Sequence, residues 1–381
     1  GKLVAPLINV IQNYAHAGTF NFGQTSYAGS APTGFKNLNT ANFAAPTVTN
    51  PSDYFNTVLY TGNGGTQAVT GVGFQPDFVW IKCRTVATNW NVIDVVRGDD
   101  AMLRMASNTN TEQSGSNQEF EGFDVDGFSV IDHTGVVEEL NRNNEDYVAF
   151  CMKAGGSAST TSPAGTVASS TSVADHGGFS IGTFTTPSTS STAFTVGHGL
   201  SREPGMIIIK DRVSTGGYWV WVEEFAATGN YLRFETTNGT YSDGTFLSAT
   251  PTDEVFATNT SWLTANNGHV FYAFAKTPGM IGIGKYTGNA SSSGAYINID
   301  DGASGFRPAW VMVKRLEDGY AWHVHNSVMS PYNPVSKGLN PNDTGTDGTT
   351  AMGDFTANGF KLRGNNGGYN GSATYIYLAF A

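Results

Sequence analysis

Charged residues are scarce in this chain of 381 residues, since Asp, Glu, Lys and Arg together make up 13% of it. That is about half of the roughly 25% usual in globular proteins. Long charged and amide side chains normally cover helix surfaces, so their scarcity argues against a helical protein. Glycine (47 residues) and aromatic residues (12%) are abundant instead, and Gly, Ser, Thr and Asn favour strands and turns. The composition predicts an all-β fold.

Basic charge is also in short supply, with 20 Lys and Arg against 31 Asp and Glu, for a net charge of −11. Surfaces that bind nucleic acid need clustered cations to replace the counterions of the phosphates. No run approaches the ~20 apolar residues that span a bilayer. We therefore expect a soluble chain with neither nucleic acid nor a membrane among its partners.

Cysteine occurs only twice, as Cys83 and Cys151. Two cysteines are too few for a disulfide scaffold, and they lack the spacing of a zinc site. A bridge between them would require Cα atoms within about 7 Å. The sequence leaves open whether they are bridged.

Internal repetition is the most informative feature that is present. A pattern of Pro, any residue, four apolar residues and Lys occurs three times, ending at Lys82, Lys210 and Lys314. An Ala-Phe pair follows each proline by 73, 69 and 71 residues, at Ala149-Phe150, Ala273-Phe274 and Ala379-Phe380. A tryptophan follows each lysine by 8, 9 and 8 residues, namely Trp90, Trp219 and Trp322. This regularity predicts three copies of one unit.

Each unit has about 100 residues of short strands separated by turn-forming residues, which is typical of a β-sandwich or jelly roll. The apolar run before the lysine does not alternate with polar residues, so it predicts a central strand covered on both faces. In the Ala-Phe alignment Cys151 matches Ala275 and Ala381, which favours a small buried thiol.

The predicted fold is therefore all-β, with three tandem, jelly-roll-like β-sandwich domains after a short N-terminal extended segment. The predicted parts are an N-terminal segment at 1–57, sandwiches at 58–156, 178–281 and 282–381, and a Ser/Thr/Gly-rich linker at 157–177.

These motifs carry a resemblance. The Pro-x-apolar-Lys strand, the following tryptophan and the Ala-Phe exit resemble a domain of unknown function that recurs in structural proteins of tailed, mainly marine, bacteriophages. Asn21 to Gln24 and Pro32 to Phe35 resemble the closing strands of a SPRY-type β-sandwich. Only the tail of the SPRY pattern is present, so either the chain begins mid-domain after processing, or this segment packs on another chain or on the first repeat.

Carbohydrate recognition needs aromatic faces together with polar side chains. Trp90, Trp219 and Trp322 recur at one register, which favours core anchors. Trp221 and Tyr320 are less constrained by the repeat and are the candidate ligand-binding residues.

Calcium is the candidate cation, because carboxylates cluster in three glycine-containing loops. The candidate ligands are Asp124 and Asp126 in one loop and Asp343 and Asp347 in another, and Asp300-Asp301-Gly302 is the third loop. None of the loops has the full twelve-residue calcium spacing, and Asp-x-Asp-Gly is also ordinary turn chemistry. His323 and His325 lie on one face of a predicted strand, as two metal ligands would. No third ligand is recognisable in the sequence, which favours histidines that are solvated or hydrogen-bonded within the protein. Otherwise no cofactor is expected.

No catalytic motif was found, so the sequence predicts a protein without enzymatic activity. The adjacent carboxylates Glu138-Glu139 and Glu223-Glu224 would face opposite sides of a strand, and no nucleophile elbow, zinc helix or phosphate loop is present.

The resemblance implies a structural protein on the surface of a phage particle, either a tail-fibre-like appendage that mediates host attachment or a capsid decoration with a purely structural role. A tailspike that binds or depolymerises polysaccharide is a further alternative. The implied partners are other virion proteins, further copies of the chain in a homo-oligomer such as a trimer, and a host cell-surface glycan.

Overall fold

Antiparallel strands make up most of the part of the chain that the computed structural model describes, which is residues 46–381 without 106–110, 115–118, 134–139, 163, 226, 243–245 and 318. Residues 1–45, which carry the SPRY-like motifs, lie outside the described residues. Within those described, the helical structure consists of one 3₁₀ turn, Pro51–Asp53, and no helix is long and apolar enough to cross a membrane. The all-β prediction is confirmed.

The strands fall into three groups along the chain, which we call the first, second and third groups, each with the loops between its strands. The first group is β1 (Phe55–Thr61), β2 (Gln67–Thr70), β3 (Phe78–Cys83), β4 (Asn91–Asp94), β5 (Gly98–Arg104), β6 (Phe120–Asp124), β7 (Gly127–Val130) and β8 (Asp146–Met152). The second group is β9 (Ser159–Ser162), β10 (Ser169–Val173), β11 (Phe179–Thr185), β12 (Ala193–Gly197), β13 (Met206–Asp211), β14 (Tyr218–Val222), β15 (Leu232–Arg233), β16 (Val255–Asn259) and β17 (Gly268–Phe274). The third group is β18 (Ile281–Thr287), β19 (Ser293–Asn298), β20 (Trp310–Arg315), β21 (Trp322–Asn326), β22 (Gly338–Leu339), β23 (Gly353–Thr356), β24 (Gly359–Arg363) and β25 (Thr374–Phe380).

Each group contains a large sheet, and five strands have the same order in all three. The orders are β1-β8-β3-β4-β5, β11-β17-β13-β14-β15 and β18-β25-β20-β21-β22. In each, the strand that carries the Pro-x-apolar-Lys pattern is in the middle. Strands β9 and β10, from the predicted linker at 157–177, extend the second sheet beyond β11. Smaller sheets, β2-β7-β6, β12-β16 and β19-β24-β23, accompany the large ones.

Side chains along each middle strand alternate between two cores, as the two-residue period of a strand requires. On β3, Phe78 and Trp80 face a core shared by all three groups. Val79 and Ile81 face a core within the first group, together with Phe128 of the small sheet. The second and third groups have corresponding cores of their own. Both faces of the middle strand are therefore buried, as predicted.

The shared core joins the three groups directly through aromatic rings. Phe55 stacks on Phe380 with ring centroids 4.5 Å apart, and Phe234 stacks on Trp322 at the same distance. The edge of Phe78 meets Tyr272 at 5.1 Å. Residues 46–381 accordingly form one compact unit. The count of three separate domains stays a prediction.

The pairing register corrects the predicted Ala-Phe alignment in the first group. Phe78 opposes Met152, whereas its counterparts Met206 and Trp310 oppose Phe274 and Phe380. Met152 therefore occupies the position of the two phenylalanines, and Ala149-Phe150 lies two residues earlier. Because a shift of two keeps a side chain on the same face, Phe150 still faces the shared core. Cys151 takes the position of Ala273 and Ala379 rather than of Ala275 and Ala381.

A second correction concerns the tryptophan that follows each lysine. Tyr218 opposes the lysine in the second group, just as Trp322 opposes it in the third. The spacing from lysine to this aromatic residue is then eight in all three groups, with Trp90, Tyr218 and Trp322 all buried in the shared core. Trp219 lies one residue further on, so it faces the other side of the sheet, where it is half-buried.

The two cysteines are free and buried. In the β3–β8 pair, Cys83 opposes Tyr147 while Cys151 opposes Val79. The thiols are thus four positions apart along paired strands, roughly 13 Å at about 3.3 Å per residue. This distance exceeds what a disulfide spans, so the cysteines are not bridged.

The lysines that end the repeated pattern are fully buried and bind backbone carbonyls. Lys82 donates to the carbonyl of Thr344 in the third group (3.2 Å), and Lys314 donates to that of Thr237 in the second (3.1 Å). Two indoles link the same pairs of groups, from Trp90 to the carbonyl of Asn340 (3.1 Å) and from Trp322 to that of Arg233 (3.2 Å). Polar contacts therefore interlock the groups around the apolar core.

Candidate functional site

A polar cavity of about 150 Å³ lies in the third group, on the side of the large sheet that faces away from the shared core. We call it the histidine cavity, because His323 and His325 of β21 form its floor. Its other lining residues are Gly338, Asn340, Thr346, Gly348, Thr350, Asn366 and Tyr369.

The cavity exists because of what occupies this face of β21. His325 opposes Val311 and His323 opposes Val313, whereas the second group places Trp221 opposite Ile207 and Trp219 opposite Ile209. Trp221 belongs to the second group's own apolar core, and Trp219 is half-buried against that core. Two smaller, polar imidazoles leave space at the same positions.

Two glycines make room for the imidazole rings. A Cβ atom on Gly338 would lie 2.5 Å from Cε1 of His325, and one on Gly368 would lie 2.2 Å from Nε2 of His323. Both distances are shorter than van der Waals contact allows. The Gly367-Gly368 turn is therefore part of the site, because it lets the 364–370 loop approach β21.

Both histidines are uncharged at neutral pH. Burial lowers the pKa of His325 to about 3, although its hydrogen bond to the Lys337 carbonyl opposes the shift. Burial also lowers the pKa of His323 to about 4, assisted by the charge of Lys314 and opposed by a hydrogen bond to Asn340. The floor of the cavity is thus polar without being charged.

The loop that forms one wall of the cavity is held by the first group. Arg84 makes an ion pair with Asp347 (2.8 Å), and the backbone N–H of Asp347 donates to the Arg84 carbonyl (3.1 Å). Lys82 and Trp90 donate to the carbonyls of Thr344 and Asn340 on the same loop. The wall is therefore positioned from outside its own group.

Of the two predicted ligand-binding aromatics, the structure brings only Tyr320 near this cavity. Tyr320 packs against Gly367, beside the lining residue Asn366, and the Arg315 guanidinium lies 4.2 Å from its ring centroid. Trp221 is 3% exposed within the core of the second group. It therefore offers no accessible face on which a ligand could stack, because its register places it inside the sandwich.

The four aspartates predicted as calcium ligands bind protein groups. Asp124 accepts from Ser129 (2.6 Å), and Asp126 accepts from the backbone N–H groups of Gly71 and Gly73 at 3.1 and 2.6 Å. Asp343 caps its own turn through the Gly345 N–H (2.9 Å), and Asp347 pairs with Arg84. These are turn and ion-pair contacts.

His323 and His325 do lie on one face of a strand, as predicted. A metal site needs at least three ligands in most proteins, and nowhere in the described residues do three His, Cys, Asp or Glu side chains group so as to hold an ion. The other side chains that line the cavity are two amides, two hydroxyls and a phenol, which suit hydrogen bonding to a neutral molecule.

The prediction that adjacent glutamates face opposite sides of a strand is wrong for Glu223 and Glu224. Glu223 and Glu224 follow β14 in a turn, and both reach Lys276, at 2.6 and 3.9 Å. They converge because a turn, unlike a strand, does not alternate its side chains. Their partner is a cation that also binds Asp300, so the pair forms an ion-pair cluster. Glu138 and Glu139 lie outside the described residues.

Sequence reasoning missed Asn340, Asn366 and Tyr369 as lining residues. Asn340 directly follows β22, whereas Asn366 and Tyr369 belong to a loop about 40 residues after β21, and only the folded structure brings all three to β21. The Asn366-Gly367-Gly368 run was the available signal, because a polar residue followed by two glycines is typical of a tight turn close to other atoms.

Comparison with known proteins gives one match. No curated protein and no solved structure matches the chain. A family model covers residues 50–381, which include all three strand groups. The chain therefore belongs to the family described as Domain of unknown function (DUF7483).

Proposed function

We propose that the protein is a non-enzymatic structural component of a tailed bacteriophage particle, displayed on the surface as a tail-fibre-like appendage that mediates host attachment. The observation that carries the proposal is the core shared by three equivalent sheets. An apolar centre that joins all three strand groups makes a stiff block, as an external part of a particle requires. The sequence resemblance supplies the phage context.

We also infer that the three groups are copies of one tandem unit. Two observations support this inference. The strand order is common to the three groups, and the spacing from Lys82, Lys210 and Lys314 to the aromatic residue opposite is eight residues in each. The three copies lie within one chain, so the unit that associates in a homo-oligomer would be all three strand groups together rather than a single sandwich. Other virion proteins and further copies of the chain are the proposed partners.

Location in the particle tests the proposal. Mass spectrometry of purified particles should detect the chain, and antibodies raised against the full chain should label intact particles in electron micrographs. Labelling at the tail together with blocked adsorption supports the attachment role. Labelling over the capsid without an effect on adsorption would favour the decoration alternative, and absence from purified particles would refute both.

The polysaccharide alternative draws on one observation, the uncharged polar histidine cavity. Host polysaccharide incubated with the full chain should show no new reducing ends if the protein lacks enzymatic activity. Release of reducing ends would instead assign a depolymerase.

A further inference from the structure

The histidine cavity differs in its lining from two other concave surfaces in the described part of the chain, one of which is lined by Arg212 among others and the other by apolar and aromatic side chains. Its side chains are two imidazoles, two carboxamides, two hydroxyls and a phenol, with two glycines completing the wall. None of the lining residues is Asp, Glu, Lys or Arg, and burial keeps both imidazoles neutral. A charged ligand would meet no opposite charge there, whereas a neutral one could satisfy its hydrogen bonds.

The hydrogen-bond directions are fixed by the surrounding backbone. Nδ1 of His325 lies 3.1 Å from the Lys337 carbonyl, so in the neutral ring this nitrogen carries the proton and Nε2 is an acceptor. Tyr369 donates its hydroxyl proton to the Ala351 carbonyl (2.7 Å), which leaves its oxygen as an acceptor. Asn366 accepts from the Gly368 N–H through Oδ1 (2.7 Å), which turns its NH₂ group towards other acceptors. The lining thus combines acceptors with donors.

Among small neutral molecules, polyhydroxylated ones can both donate and accept through several neighbouring groups, because each hydroxyl does both. The volume of about 150 Å³ is below the roughly 300–1,000 Å³ of pockets for drug-sized molecules. It therefore suits a single ring rather than an oligosaccharide lying along the surface. Exposed Thr346 and Thr350 at the rim leave the cavity accessible from solvent.

The cavity wall is also organised before any ligand arrives. Arg84, Lys82 and Trp90 of the first group each bind the loop that carries Asn340 and Thr346. A pre-organised wall lowers the entropy lost on binding. A lower entropy cost favours the binding of a small neutral ligand, which makes few contacts.

We propose that the histidine cavity binds the end residue of a neutral saccharide, in a pocket built by the third group and positioned by the first. This inference deepens the proposed attachment role and rests on it for the source of the saccharide. Binding itself is a property of the isolated chain and is tested there.

The test is saturation-transfer NMR of the full chain with three sets of probes: neutral monosaccharides and disaccharides, uronic acids of the same ring size, and the open-chain polyols glycerol and sorbitol. We expect transfer to at least one neutral saccharide and little or none to the uronic acids. Equal transfer to the open-chain polyols would show that the cavity binds hydroxyl groups without recognising a sugar ring, and would overturn the proposal. No transfer to any neutral saccharide would also overturn it.

The decisive variant is His325→Trp, which places at this position the residue that the second group has there. It should abolish transfer by filling the cavity, with the far-UV circular dichroism of the wild type retained. If it does not fold, the double variant Thr346→Val with Thr350→Val removes two rim hydroxyls at exposed positions and should weaken binding roughly tenfold. Tyr332→Ser, at a residue 84% exposed, is the matched control and should bind as the wild type does.

Wild-type binding in either cavity variant would place the saccharide elsewhere and refute this site. The particle experiment separates this outcome from a failure of the attachment role. A chain found on particles that does not bind neutral saccharides retains its structural role and loses only the cavity proposal.

Discussion

The inward and outward faces of the three large sheets differ in how similar their residues are at matching positions. Inward positions carry large apolar side chains in every group, such as Trp80, Ile208 and Met312 at one register. Outward positions range from the indole of Trp221 to the imidazole of His325. The inward face has to match two other sheets at once, whereas each outward face packs mainly on the small sheet and loops of its own group. A binding site can therefore arise on the outward face without disturbing the assembly.

Removing a large ring from the inward face should have the largest effect on the free energy of unfolding. Trp310 contacts Phe55, Trp80, Phe150 and Phe380 in the first and third groups. Trp310→Ala should lower the free energy of unfolding by ~3–5 kcal/mol, measured by chemical denaturation. Tyr332→Ala, at an exposed position, should change it by less than about 0.5 kcal/mol. A small effect of Trp310→Ala would show that the groups do not depend on a common core.

A buried ion pair beside the shared core is the next largest test. Asp94 accepts from Arg97 (2.6 Å) and from Tyr272 of the second group (2.8 Å), and both members of the ion pair have fully buried side chains. Asp94→Asn would leave the Arg97 charge without its main partner, at a cost of ~3–5 kcal/mol. Asp354→Asn removes a more exposed partner, that of Arg363, and should cost about 1 kcal/mol or less. Equal effects of the two variants would contradict the burial described for Asp94.

Acid should lower the stability of the protein through the two histidines on the outward face of the third group. The pKa values of His323 and His325 are lowered by burial to about 4 and about 3, against about 6.5 in the unfolded chain. The unfolded state therefore binds protons first as the pH falls, and the stability present above pH ~6.5 is lost progressively towards pH ~4. Each histidine contributes up to about 1.4 kcal/mol per pH unit in that range.

His325→Asn isolates this contribution. Urea unfolding at a series of pH values between 7 and 4 should show a shallower loss of stability in the variant than in the wild type. Of the other buried histidines, only His323 interacts with His325, so the contributions of His176, His198 and His269 cancel in the difference. Identical slopes would show that His325 is not held neutral by its surroundings.

The smallest expected effect concerns the contact that positions the cavity wall. Arg84→Ala removes the ion pair to Asp347, but Lys337 still lies 3.4 Å from the same carboxylate oxygen, so stability should fall by only about 1 kcal/mol. Hydrogen exchange should nevertheless accelerate at the Asp347 amide, which donates to the Arg84 carbonyl. Unchanged exchange in the 343–348 loop would show that the first group does not hold the wall.

The fold class and the middle strands could be predicted from the sequence, because an uninterrupted apolar run that ends in lysine is a strong local signal. The exact registers could not. The spacing matched Trp219 with Trp90 and Trp322, but the residue that opposes the lysine is Tyr218. Two neighbouring aromatic residues give no local signal of which one faces the shared core. The Ala-Phe pair of the first group misled for a similar reason, since only hydrogen bonds between strands reveal a two-residue shift.

The candidate site was predictable only in part. The common face of His323 and His325 follows from strand periodicity, and Tyr320 lies close to the same loop. The cavity itself depends on Gly338, Gly368 and Tyr369 meeting β21, and on Arg84 from the first group. These contacts join separate segments of the chain, 263 positions apart for Arg84 and Asp347, so no local pattern reveals them without the structure.

The central claim is that one core unites the three strand groups, and calorimetry of the full chain tests it most directly. The account predicts a single transition for residues 46–381, with the calorimetric enthalpy equal to the van't Hoff enthalpy. Three resolved transitions, or loss of one group while the others stay folded, would contradict it.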